Sequence, residues 1–119
     1  MSDEQHPKNT NLYDVPHDAW ERWCAETTAG QRGRDVELHQ ADRALGKVKL
    51  AETQALVAIE YERFGNTETL TIKCGSSAVP VSYVVSGPRT ISQQRGKDGV
   101  IDAVDVVDAT ERRTSIVFD

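Results

Sequence analysis

Leu56-Val57-Ala58-Ile59-Glu60-Tyr61-Glu62-Arg63-Phe64-Gly65-Asn66-Thr67-Glu68-Thr69-Leu70-Thr71-Ile72-Lys73-Cys74 is the stretch that decides the fold. Two alternating runs flank Gly65-Asn66, and glycine in the first position of a two-residue loop suits a type II′ hairpin turn. Turning there sets Arg63 opposite Glu68, Tyr61 opposite Leu70, Ile59 opposite Ile72 and Val57 opposite Cys74. Glu62 then faces Thr69 and Glu60 faces Thr71 on the other side. One face is apolar and the other polar, so a one-residue slip would carry Ile59 and Tyr61 into water; burial therefore enforces this register.

The alternation continues on both sides. Upstream, Val36 and Leu38 share one face of a strand over 34–40, with Asp35, Glu37 and His39 on the other. A second strand over 47–52 places Val48 and Leu50 inward. Lys47 and Lys49 then lie on the outer face with Asp35 and Glu37, where opposite charges favour antiparallel pairing. Downstream, Val79, Val81, Tyr83 and Val85 form another strand, which Pro80 marks as an edge or a strand start. Gly87-Pro88 breaks it. A short run over 89–94, a turn at 96–99, and a last hairpin of 100–107 with 114–118 around 109–112 complete the series.

Before the strands, Pro16, Asp18 and Glu21 are start signals for a helix of three to four turns, and Gly30 is a stop signal. Trp20, Trp23, Cys24 and Thr27 recur at helical spacing and predict an apolar stripe docked on the chain's own sheet. Residues 1–12 are polar and aperiodic, and read as a disordered tail preceding a single domain over 13–119. The expected class is α+β, mainly β: an N-terminal helix packed on a small antiparallel barrel or strongly bent sheet, extended by a C-terminal hairpin.

The chain of 119 residues carries 14 basic and 19 acidic residues, a net charge of −5. That field repels a nucleic-acid backbone over most of the surface. The start lacks the apolar core of a signal peptide and no stretch is long enough to span a bilayer, so a cytoplasmic location is expected. Cys24 and Cys74 are too few for a disulfide scaffold and lack zinc spacing, and both are expected as thiols.

No pattern in the chain specifies a catalytic residue, a metal site or a cofactor. Cys74-Gly75-Ser76-Ser77 has the small residues of a nucleophile turn or an anion nest, yet no histidine is placed beside it. His17, Cys24 and His39 come from separate elements without a ligand spacing. Asp102, Asp105 and Asp108 stand three apart, a period that no regular strand brings to one face. Arg89, Arg95 and Lys97 form a local basic excess and are the candidate ligand-binding residues, suited to a phosphate or an acidic partner.

The run Val15-Pro16-His17-Asp18-Ala19-Trp20, a strand ending in Lys73-Cys74-Gly75, and the Gly87-Pro88-Arg89-Thr90 turn together resemble a family of small bacterial proteins, domain of unknown function 5335. The likeness covers most of 15–118 and implies no activity. Val36-x-Leu38, Gly46-x-Val48 and Glu52 also resemble the first Sm motif, which implies a helix before a five-stranded barrel. Leu56 stands where that motif has its RNA-contacting asparagine, and Ala41 where it has its first glycine.

The function expected from these residues is a non-catalytic binding or adaptor module that contacts another protein through its acidic face or an edge strand. The alternative is a weak nucleic-acid or phosphate-ligand binder acting through Arg89, Arg95 and Lys97 in an Sm-like oligomer.

Overall fold

The computed structural model describes residues 11–44, 46–76 and 78–119. Strand β1 (Asn11–Val15) leads through a 3-10 turn (His17–Ala19) into helix α1 (Trp20–Gln31). Seven strands follow: β2 (Asp35–Asp42), β3 (Gly46–Phe64), β4 (Thr67–Gly75), β5 (Pro80–Ser86), β6 (Pro88–Arg95), β7 (Ile101–Asp108) and β8 (Arg113–Phe118). All pairings are antiparallel, and the spatial order is β1-β6-β7-β8-β2-β3-β4-β5.

The protein is thus mainly β with one helix, and its sheet is open but bent, since β4 comes against β6 and β5 against β7, which are not neighbours in the strand order. The terminal strands β1 and β5 do not pair with each other, so the barrel expected as one option is not closed. The bend lies in the 19-residue β3, whose first half pairs with β2 and whose second half pairs with β4. The C-terminal hairpin does not extend an edge; it is inserted mid-sheet, with β7 on β6 and β8 on β2.

The hairpin of β3 and β4 turns at Gly65, where φ is +59°, with Arg63, Tyr61, Ile59, Glu62 and Glu60 opposite the residues expected. One pair differs. Leu56, not Val57, lies opposite Cys74, because Val57 is the extra residue of a bulge at the bend. Irregular pairing near Leu38 likewise overturns the inward placement of Val48, which is exposed, while Ala51 is buried opposite Leu38. The expected charge pairing survives as Lys49 with Glu37 at 3.9 Å.

At the N-terminus, β1 begins at Asn11, so Asn11 and Leu12 belong to the sheet rather than to the tail assigned over 1–12; residues 1–10 lie outside the described residues. Gly30 does not stop α1, which runs on to Gln31. The left-handed residue past its end is Gly33, with φ +92°, whose N–H reaches the Leu56 carbonyl. The tryptophan stripe is buried as expected. Trp20, Trp23, Cys24 and Thr27 join Val36, Leu38, Leu70, Ile72, Val106 and Ile116 between the helix and the two arms of the sheet.

Both thiols lie in this core. Burial pushes Cys24 up to about 12 and Cys74 to about 11, so each is neutral near pH 7. Neither should react with iodoacetamide in the native protein at pH 8, and both should react in urea, with mass spectrometry counting the adducts. Rapid native labelling of either would contradict the packing. Because the folded pKa values are raised, this contribution to stability is complete below the unfolded thiol pKa of ~8.5 and falls away as pH rises above it.

Candidate functional site

One side of α1 presents Glu21, Ala25 and Thr28 at helical spacing, followed by Arg32 just past its end, toward the second half of β3. That half of β3 has β4 on one side and no strand on the other, since β2 pairs only as far as Ala55. The helix and its C-terminal linker cover part of this open edge. The Leu56 carbonyl accepts from Gly33 N–H, and Leu56 N–H donates to the Arg34 carbonyl, both at 2.8 Å. Farther along, the Thr28 hydroxyl donates to the Ile59 carbonyl at 3.1 Å and accepts from Ile59 N–H at 2.9 Å. A hydroxyl serves both because it has a proton and free lone pairs.

Backbone groups in an antiparallel strand alternate in direction. With Ile59 turned toward the helix, Glu60 and Glu62 turn toward β4, and Tyr61 and Arg63 direct their N–H and C=O groups to the helix side. There the edge is uncovered by any strand among the described residues.

A furrow runs along this edge. One part, about 420 Å³, lies between Ala25, Thr28, Ile59 and Tyr61. The next, about 390 Å³, is walled by His17, Asp18, Glu21, Tyr61 and Arg63. Glu21 and Tyr61 line both, so the two are continuous.

At its N-terminal end the furrow is built on a shared carboxylate. The Tyr61 hydroxyl donates to Glu68 Oε2 at 2.5 Å, and His17 Nε2 lies 2.5 Å from the same oxygen. An ionised carboxylate only accepts, so Nε2 carries the proton. The bond from Tyr61, and then that from His17, hold the Glu68 carboxyl below its ordinary range. The same bond to Glu68, followed by burial, pushes the Tyr61 phenol up. Trp20 buttresses both partners edge-on, with ring centroids 4.5 Å from His17 and 5.7 Å from Tyr61.

A family model described as a family of unknown function (DUF5335) matches residues 12–119. The chain belongs to that family. Among curated proteins nothing matches it. The match spans every element of this DUF5335 domain that forms the furrow, from the helix entry to β4.

The basic residues singled out from the DUF5335 sequence lie elsewhere and are not gathered into one place. Arg89 is the second residue of β6, while Arg95 ends it, roughly 20 Å away at ~3.4 Å per residue. Arg95 donates to the Gly99 carbonyl at 2.8 Å across the turn that carries Lys97. Arg112 pairs with Asp42 at 3.4 Å. Cys74 is fully buried, and Ser77 lies outside the described residues. His17 and His39 sit on different carboxylates, Glu68 and Glu37, and among the described residues no three His, Cys, Asp or Glu side chains are grouped to hold a metal ion.

Asp105 accepts from Ser115 and Asp108 organises the last turn. Burial raises the Asp108 carboxyl, but bonds from Thr110 and from Arg112 N–H outweigh it and leave the group below its ordinary range. No described helix in this DUF5335 domain is long and apolar enough to cross a membrane. The furrow itself escaped sequence reasoning. The hairpin register put Tyr61 and Glu68 near each other, but nothing local says which edge of β3 the helix covers.

Proposed function

We propose that this domain is a non-catalytic protein-binding module that takes an extended segment of a partner as an added strand on the open edge of β3. The observation that carries this reading is the pair of outward-facing backbone positions, Tyr61 and Arg63, opening onto a furrow next to the edge bonded by Thr28. Strand addition draws its affinity from such backbone groups and its specificity from the flanking side chains. Here the helical wall supplies Asp18 and Glu21, and the whole chain has a net charge of −5, which favours a segment with a basic residue at that point. Arg63 also walls the furrow, with its Nε tied to the Gly65 carbonyl at the hairpin turn, and the two carboxylates of Asp18 and Glu21 outnumber its one guanidinium there. The one thiol lining the furrow, Cys24, is held neutral by burial and is a poor nucleophile, which supports binding over covalent chemistry.

Selection of random displayed peptides on the intact protein tests the reading. Enriched sequences are expected to be extended and basic. A synthetic peptide of that sequence should slow amide exchange at Tyr61 and Arg63, and Glu21→Lys should weaken it about tenfold or more, as loss of one charge contact implies. Protection appearing on another strand, or enrichment without basic residues, would sink the assignment.

A further inference from the structure

We infer that β5 is a homodimerisation edge, pairing antiparallel with β5 of a second copy of this chain. From Cys74 through Pro88 there is no Asp, Glu, Lys, Arg or His, in a chain with 33 Asp, Glu, Lys and Arg residues (14 + 19). The strand inside this run, β5, ends the sheet and pairs only with β4. Its Val81 and Val84 are 48% and 59% exposed, and Val79 just before it is 78% exposed.

Edges of monomeric proteins are ordinarily guarded by charged side chains or covered. This one carries neither charge nor, among the described residues, a covering strand. Pro80 is the only blunting residue, and it stands at the strand start.

The direction of the free backbone groups follows from the ladder. Ile59 faces the helix, so Glu60 and Thr71 bond each other, and Leu70, Ile72 and Cys74 turn toward Val85, Tyr83 and Val81. The Gly87 N–H donating to the Glu68 carbonyl has the same sense. Ser82 and Val84 therefore direct N–H and C=O away from β4, and the N–H that Pro80 lacks would also have pointed outward.

Self-pairing is the occupancy that the charge pattern fits. Two-fold pairing brings each residue near its own kind, so a lysine or glutamate close to the axis would meet a like charge, and here none does. Two copies, each at net −5, repel over the rest of their surfaces, and the charge-free edge is where they approach at least cost. An axis through Tyr83 sets Ser82 against Val84 of the second copy, exchanging four backbone hydrogen bonds, and closes the edge against further growth.

Light scattering on the intact chain over a concentration series tests this. The mass is expected to rise to twice that of one chain. Val84→Lys should return it to a monomer without lowering the melting temperature, since that side chain lies outside the core, and Ser82→Pro should do the same by removing an outward N–H. A wild-type protein that stays monomeric at its solubility limit overturns the inference. So does a dimer that both variants leave intact, which would place the interface elsewhere.

Discussion

Trp20→Ala is expected to lower folding stability by about 3–5 kcal/mol, the range for deleting a large buried aromatic side chain. Trp20 is 2% exposed and lies where the 3-10 turn becomes α1. Its indole N–H donates to the Val15 carbonyl at 3.1 Å, tying the end of β1 to the helix. Its ring meets His17 and Tyr61 edge-on, so it joins the helix entry to the β3–β4 hairpin. Alanine leaves a cavity beneath both and removes the hydrogen bond to the Val15 carbonyl. For a domain whose total stability is ~5–15 kcal/mol, this is a large fraction. Urea unfolding followed by far-ultraviolet circular dichroism measures it. Trp20→Phe should fall between, since it keeps the ring contacts and loses the N–H. A loss below about 1 kcal/mol for the alanine variant would mean that the helix entry is not docked as described.

Thr28→Val should cost about 2–4 kcal/mol although the two side chains have nearly the same shape. The hydroxyl is bonded to both backbone groups of Ile59, which is 2% exposed, so valine leaves a buried donor and a buried acceptor without partners, at ~1–3 kcal/mol each. Thr28→Ser keeps the hydroxyl and loses one methyl, and should cost only about 0.8 kcal/mol. Helix propensity does not confound the comparison, since Val, Thr and Ser rank close together. Amide exchange at Ile59 should quicken in the valine variant and stay slow in the serine variant. If serine proved as damaging as valine, the methyl group rather than the hydroxyl would be what Thr28 contributes, and the account of a helix capping a strand edge would fail.

The parts of this fold that local rules control were legible in the chain. Gly65-Asn66 between alternating runs set the hairpin, and the pairing of Ile59 with Ile72 and Tyr61 with Leu70 followed because one slip would have exposed both. The spacing of Trp20, Trp23, Cys24 and Thr27 identified the buried face of the helix. Pro80 indicated an edge strand or a strand start, and β5 both begins at Pro80 and ends the sheet; the outward direction of the missing N–H explains why the position tolerates it.

What failed were statements that depend on how the sheet bends and in what order its strands lie. A bulge at Val57 shifted one pair, and irregular pairing at Leu38 turned Val48 outward, because a strand bridging two arms of a sheet must change which face is buried along its length. Separation along the chain is also no guide to separation in space: Arg89 and Arg95 stand toward opposite ends of one extended strand, while His17 and Glu68, 51 residues apart, share a hydrogen bond. The sequence by itself determined the hairpin and the helix stripe, since each is specified by periodicity and turn chemistry within a few residues. Only the tertiary structure decided that Thr28 caps β3 and that Tyr61 and Arg63 are left open beside it, because which edge a helix covers is settled by the packing of the whole core.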